Sequence, residues 1–142
     1  MARYAILDTN VVIRHLKGEL PDGLDEFSRR YVLRQSAVVL CELYRGARDR
    51  AAERALDGLA RSSAEIWAPL SEDWLRAGRL VRAIGDDQGF DLHKRRELQN
   101  DCLIALTAHR HGALVLTGDI ADFRLIKRRV DIEVQEVGRA VR

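Results

Sequence analysis

Five short runs of β-forming residues alternate with helical patterns along this chain, and this alternation limits its fold more than any other feature. The runs cover residues 4–7, 32–35, 66–70, 113–116 and 132–137. The first and fourth runs are continuously apolar, as strands covered on both faces are, whereas the last partly alternates, like an edge strand. Strands that alternate with helices predict an α/β fold of three layers, α/β/α, with a central parallel sheet.

Apolar residues recur at helical spacing between these runs. Pro21 suits a first helical turn, Ser36 is a candidate N-cap, and Gly112 ends the last pattern as glycine often ends a helix. The helical stripes are centred on residues 20–27, 36–47, 74–84 and 98–108. The polar stretch 85–96 is expected to be a loop or a frayed helix. Since no repeat or linker interrupts the pattern, we expect a single domain over residues 1–142.

Composition excludes several classes of protein. The net charge of +2 on 142 residues does not by itself indicate a nucleic-acid partner. Cys41 and Cys102 both lie in apolar stretches, which predicts two reduced, buried thiols and no zinc site. Asp8 interrupts the apolar start too early for a signal peptide, and no apolar run approaches the ~20 residues of a membrane span. We therefore expect a cytoplasmic protein that does not bind membranes.

Four acids from distant segments are predicted to converge. Asp8 and Asp119 each follow an apolar run, so both would emerge at the carboxyl ends of strands, where open α/β sheets bind ligands. Asp101 is expected near the start of the helix that leads into the strand before Asp119, and hence at the same edge. Glu42 falls within the second turn or so after the candidate cap Ser36, again near that edge.

Such a cluster would have a specific chemical use. Carboxylates held close together repel and raise one another's pKa, and a divalent cation with oxygen ligands removes that cost. A metal bound in this way suits phosphodiester hydrolysis. Each acid also has a purely structural interpretation: Asp8 and Asp119 as turn or cap residues, Asp101 as a first-turn acid that complements the helix dipole, and Glu42 on a solvated face.

Four motifs in order resemble those of PIN-domain ribonucleases of the VapC toxin type, and together they cover nearly the whole chain. The first is ILDTN at residues 6–10. The second is Ser36 followed by ELYRGA at 42–47, although Val39 stands where some relatives carry a hydroxyl residue. The third is NDCLIA at 100–105, and the fourth is LTGDIADF at 116–123.

The resemblance implies the chemistry of the site. It implies acidic metal ligands, a hydroxyl at the centre that matches Thr117, and a polar residue after the first acid that matches Thr9 or Asn10. The implied ligands are Asp8, Glu42, Asp101 and Asp119, which would bind Mg²⁺ or Mn²⁺. Asp122 would be an alternate ligand or a supporting acid behind the ligands; its other interpretation is a helix N-cap ahead of Phe123.

The resemblance also implies an activity and partners. Members of this type cleave RNA endonucleolytically, are held inactive by a cognate antitoxin, and commonly form homodimers with both sites facing one groove. Three alternatives remain open. A haloacid-dehalogenase-type phosphatase would need an acid where Asn10 stands, and a receiver domain would need an acid pair after the first strand. A degenerate PIN-like scaffold that binds RNA or protein should lack one of the four acids.

Three basic groups are candidates to follow an RNA backbone. They are Arg29 with Arg30 and Arg34, residues 94–96, and residues 127–129. His109 and His111 flank a predicted helix end, where cations are favoured, and His15 and His93 are given no catalytic role. Trp67 and Trp74 are predicted to be core residues.

Overall fold

A computed structural model describes residues 3–20 and 23–138, which form a five-stranded parallel sheet and seven helices. The strands are β1 (Tyr4–Leu7), β2 (Val32–Ser36), β3 (Ile66–Trp67), β4 (Leu114–Thr117) and β5 (Glu133–Glu136). The helices are α1 (Thr9–Leu16), α2 (Gly23–Arg30), α3 (Ala37–Arg45), α4 (Arg50–Ser62), α5 (Ser71–Gln88), α6 (Leu92–His111) and α7 (Ala121–Lys127). The predicted three-layer α/β/α architecture is confirmed.

The strand order is β3-β2-β1-β4-β5, so the chain leaves β1 toward one side of the sheet and returns to its other side with β4. Ala5 pairs with Leu114 and Leu7 with Leu116 in parallel register. Both central strands are buried, as their unbroken apolar sequences predict, and β5 is the predicted edge strand. The boundary between β1 and β4 is the topological switch point, where a crevice opens at the carboxyl ends of the strands.

Local chemistry explains most helix ends. The Ser36 hydroxyl accepts hydrogen bonds from the amides of Val38 and Val39, which confirms the predicted cap of α3. Gly112 ends α6 in the left-handed conformation, with a φ of 63°. The predicted third strand is shorter than expected because Pro69 cannot donate a ladder hydrogen bond, so pairing stops at Trp67. Pro21 lies outside the described residues.

The stretch 85–96, predicted to be a loop or a frayed helix, instead contains the end of one regular helix and the start of the next. Helix α5 continues to Gln88, Gly89 breaks it at a φ of 67°, and Asp91 caps α6 by accepting a hydrogen bond from the Lys94 amide. The stretch is polar because both helices expose charged faces there. Asp101 is therefore the tenth residue of α6, in mid-helix rather than near its start.

Predictions about tryptophan, cysteine and histidine side chains were also tested by their burial or position. Trp67 is a core residue as predicted, but Trp74 is 50% exposed on α5. Cys102 is buried, whereas Cys41 is exposed on α3, so only one of the two predicted buried thiols is found. His109 and His111 lie in the last turn of α6, as predicted.

No helix in ranges 3–20 and 23–138 is long and apolar enough to cross a membrane.

Candidate active site

The carboxyl edge of the sheet opens into a cavity of about 750 Å³ whose wall carries all the acids singled out from the sequence. Asp8 lies between β1 and α1, Glu42 in α3 and Asp101 in α6. Asp119 follows β4, and Asp122 lies in the first turn of α7. These five acids from five segments thus line one cavity, together with Glu97 of α6, and their convergence follows from the parallel sheet.

Asp8 occupies the floor of the cavity and is almost fully buried. Its Oδ1 accepts the Thr9 amide at 2.8 Å, and its Oδ2 accepts the Thr117 hydroxyl at 2.8 Å. Its own amide donates to Leu116 O at 2.8 Å, which joins it to β4. Burial raises the pKa of Asp8, and the nearby charges of Asp119 and Asp122 raise it further, while the two hydrogen bonds oppose that rise.

Asp101 shows the strongest electrostatic conflict in the cavity. Burial, together with repulsion from Asp8, Asp122 and Glu42, raises the pKa of Asp101 to about 9. Asp122 also favours the protonated form of Asp101 as a nearby hydrogen-bond acceptor, which adds to the rise in the pKa of Asp101. Burial and repulsion from Asp8 likewise raise the pKa of Glu42. The chain therefore gathers carboxyl groups here whose ionised forms repel one another.

The polar residues named from the sequence surround these acids. Thr9 and Asn10 line the cavity, and Thr117 lies fully buried beneath it. Asn10 Oδ1 accepts the Gly118 amide at 2.8 Å and so fixes the turn after β4. Thr9 Oγ1 is buried without a hydrogen bond of normal geometry, yet it lies near enough to Glu42 to lower the pKa of that carboxyl.

The two acids of the fourth motif differ in depth. Asp119 is exposed at the mouth of the cavity, whereas Asp122 is half-buried beside Asp101 and forms an ion pair with Lys94 at 2.7 Å. The predicted N-cap role of Asp122 was wrong, because the cap position of α7 is Ile120 and Asp122 follows it by two residues. Asp122 instead connects the acidic cavity to the start of α6.

A divalent cation fits this donor set. The acids of the cavity and Thr9 offer carboxylate and hydroxyl oxygens, which hard cations prefer, and the buried Thr9 Oγ1 has no hydrogen-bond partner among the described residues. Within residues 3–20 and 23–138, however, no three His, Cys, Asp or Glu side chains are grouped closely enough to hold an ion as they are placed.

Sequence reasoning undervalued one wall of the cavity. The first turns of α6 bring His93, Lys94 and Arg96 to it, and Arg45 of α3 joins them. Of the three basic groups proposed, only residues 94–96 reach the acids. The run of basic residues in the sequence indicated that these side chains could bind RNA. Which face of a helix they share could not be predicted, because the stretch was interpreted as a loop or a frayed helix.

Comparison with known proteins agrees with this architecture. A family model of the PIN domain matches residues 5–128. No curated protein matches the chain. Three solved complexes contain a chain with the same fold.

In the structure of VapBC-1 from nontypeable Haemophilus influenzae the TM-score is 0.70 at 23% identity, with 94% of this chain and 97% of the other covered. In DNA-bound VapBC from Salmonella typhimurium the TM-score is 0.66 at 24% identity, with 97% of this chain and 100% of the other covered. In VapBC2 from Rickettsia felis, bound to a promoter DNA fragment, the TM-score is 0.66 at 21% identity, with 94% of this chain and 98% of the other covered. At such identities the likeness establishes the fold. Because the family model spans most of the sequence and neither the phosphatase nor the receiver alternative is compatible with it, this chain belongs to the PIN domain family.

Proposed function

We propose that this PIN-domain protein is the toxin of a toxin–antitoxin pair, an endoribonuclease that hydrolyses RNA phosphodiester bonds with Mg²⁺ or Mn²⁺ and is inhibited by a cognate antitoxin. One observation carries the proposal: Asp8, Glu42 and Asp101 share a cavity at the switch point of the sheet, and in the described ranges none of them forms an ion pair. Such an arrangement costs stability unless a cation from outside offsets it.

The metal would be held by Asp8 and Asp101, with Glu42 and Asp119 completing the acidic pocket directly or through water. When bound, a divalent cation lowers the pKa of a coordinated water and stabilises the charge that develops on the phosphate. The protein's own residues prepare the site for this. Thr117 orients the Asp8 carboxylate from below, and Asn10 holds the turn from which Asp119 projects.

The identity of the partners rests on the solved neighbours. The similar chains come from VapBC complexes, two of which were solved bound to DNA. For this chain we accordingly propose a small antitoxin that covers the acidic cavity, with a basic side chain placed among the carboxylates. We further propose that the toxin acts in the cytoplasm as a homodimer on single-stranded or looped RNA.

Purified protein, shown to be free of antitoxin, tests the proposal with total RNA in the presence of Mg²⁺, Mn²⁺ or EDTA. We expect internal cuts with either metal and none in EDTA, with the new ends mapped by sequencing. RNA left intact under both metals would contradict the nuclease and favour a binding scaffold. Co-purification from the native operon tests the partner separately: if no neighbouring small protein binds or restores growth, the toxin assignment fails even where the nuclease assignment stands.

A further inference from the structure

Lys94 forms the one ion pair that any of the five cavity acids makes within residues 3–20 and 23–138. Its Nζ lies 2.7 Å from Asp122 Oδ2. The Lys94 side chain is 34% exposed and that of Asp122 only 15%, so the carboxylate is the deeper partner and the ammonium faces the cavity. An ammonium has three N–H donors, of which Asp122 takes one. The other donors remain available to a ligand in the cavity.

The position of Lys94 is not explained by the stability of its helix. It lies in the first turn of α6, where the helix dipole disfavours cations, and this turn contains no acid. Both parts of the residue are nevertheless held, because Asp91 accepts the Lys94 amide at 2.8 Å and Nζ lies 5.5 Å from the centre of the Phe90 ring. The chain therefore fixes a positive charge where the positive end of a helix already points toward the cavity.

A purely structural bridge between α6 and α7 is the competing explanation. The two helices already pack against each other, and Phe123 and Ile126 of α7 are fully buried. An additional ion pair at the cavity surface contributes little to stability by itself. The pair is therefore better explained by what the ammonium does in the cavity.

Building on the proposed function, we propose that Lys94 binds a phosphate of the RNA backbone beside the bond to be cut, and that Asp122 is a positioning residue that aims the ammonium. The carboxylates of Asp8 and Asp101 lie deep in the cavity, while Lys94 and the neighbouring Arg96 bring positive charge to one side of it, beside Glu97, which pairs with His93. Positive charge on this side of the cavity reduces the repulsion between the acids and a polyanionic substrate. Asp122 thus positions the Lys94 ammonium and is not a ligand of the metal ion.

The test uses an RNA oligonucleotide that contains a cut site mapped with the wild-type protein. Lys94→Met should raise KM about tenfold, as expected when a charge-assisted hydrogen bond to substrate is lost, and change kcat much less. The slope of log(kcat/KM) against log[salt] should become shallower by about 0.7, the value for one phosphate contact on a single strand. Lys94→Arg should recover most of both losses. Lys17→Met, which removes the same charge from the turn after α1, should change neither.

Two further measurements separate positioning from metal binding and from folding. Asp122→Asn should reproduce the KM defect, and the Lys94→Met/Asp122→Asn double variant should be no worse than Lys94→Met alone, because both changes remove one interaction. Titration calorimetry with Mn²⁺ alone should show that Lys94→Met binds the ion at least as tightly as wild type, since a positive charge beside the carboxylates is gone. Thermal melts should show both single variants folded.

The proposal is overturned if Lys94→Met keeps the wild-type KM and salt slope, or if its defect comes with lost Mn²⁺ binding, which would make the residue a support for the acids. Additive defects in the double variant would assign Asp122 an independent role. These outcomes leave the nuclease assignment intact, since they presuppose cleavage by the wild type. If the wild type cuts no RNA, the proposed function itself fails.

Discussion

Asp8 and Asp73 are equally buried, with 6% and 5% of each residue exposed, yet their carboxylates have opposite surroundings. Asp73 accepts hydrogen bonds from Arg110 Nε at 3.0 Å, from the Arg110 terminal nitrogen at 2.8 Å and from the Leu70 amide at 2.9 Å. These bonds, those from Arg110 foremost, lower the pKa of Asp73. Asp8 receives only an amide and a hydroxyl, faces four other acids, and has a raised pKa.

The contrast shows how a buried acid that holds the fold together differs from one that awaits a ligand. Arg110 and the N-terminus of α5 give Asp73 everything an ionised carboxylate needs, so burying it costs little. Asp8 and Asp101 form no ion pair within the described chain, and the pKa of Asp101 rises to about 9. Uncompensated acids in a cavity are typical of functional sites, because there the compensation comes from outside.

The largest expected effect is on cleavage. Asp101→Asn keeps the shape of the side chain but removes a charge that the metal needs, and it should lower kcat/KM about 1000-fold, or roughly 4 kcal/mol of activation free energy. Single-turnover assays in Mn²⁺ would measure the loss. Wild-type rates in this variant would show that Asp101, like Asp73, has only a structural role, and the contrast drawn between the two sites would be wrong.

Stability without metal should respond to pH in a direction set by Asp101. Its folded pKa of about 9 lies far above its unfolded value of about 4, so the folded state binds the extra proton between these limits. The free energy of unfolding in EDTA should therefore fall as pH rises, by up to about 1.4 kcal/mol per pH unit. Asp101→Asn should flatten this dependence and exceed the wild type near pH 7 by on the order of 4 kcal/mol.

Urea unfolding of both proteins across this pH range checks that expectation. The wild type should regain stability when Mg²⁺ or Mn²⁺ is added, because a ligand that binds only the folded state stabilises it, and Asp101→Asn should gain less. If Asp101 were instead a structural helix residue, the variant would be less stable than wild type in EDTA and would respond to metal as the wild type does. The same urea unfolding experiments on Asp122→Asn, with and without metal, would show whether Asp122 behaves as an acid of the metal site or as a structural residue.

Asp73→Asn should behave in the opposite way. Replacing a carboxylate that is bonded to Arg110 should lower the free energy of unfolding by about 2 kcal/mol near neutral pH, with cleavage unchanged. Because the folded pKa of Asp73 is depressed, this stabilisation is present above the unfolded pKa and is lost as pH falls through the folded value. The difference between variant and wild type should thus vanish in acid, as denaturant melts at several pH values would show.

Much of this architecture could be predicted from the sequence because it depends on local patterns. Apolar runs identified the strands, and an acid directly after a buried strand must emerge at the carboxyl edge, which is why Asp8 and Asp119 were placed correctly. The cap at Ser36 depends on a side chain that bonds its own helix, and such signals are legible in a single sequence.

Features that depend on helical phase or on distant partners were not predictable. Trp74 and Cys41 have apolar neighbours in sequence, but each lies on the exposed face of its helix, and periodicity alone does not fix the width of the buried stripe. The charged start of α6 has the composition of a loop, which hid the depth of Asp101 in that helix. The pairing of Lys94 with Asp122 spans 28 positions in sequence and two helices.

The smallest predicted effect concerns a hydroxyl beneath the acids, and the chain provides its own control. Thr117 and Thr107 are both fully buried. The Thr117 hydroxyl donates to Asp8 at 2.8 Å, while that of Thr107 donates to Leu103 O of its own helix at 2.8 Å. Thr117→Val should lower kcat/KM about tenfold near neutral pH, the equivalent of one lost hydrogen bond, whereas Thr107→Val should leave cleavage unchanged.

The reason lies in competition between proton and metal for Asp8. The hydrogen bond from Thr117 holds the pKa of Asp8 down against burial, so its removal raises that pKa and favours the protonated form, which binds metal poorly. The deficit of Thr117→Val should therefore shrink as pH rises and as Mn²⁺ is added in excess. A deficit that stays constant across pH and metal concentration would mean that the hydroxyl only fills space or supports the fold, and Thr117 would then belong with Thr107 rather than with the acids.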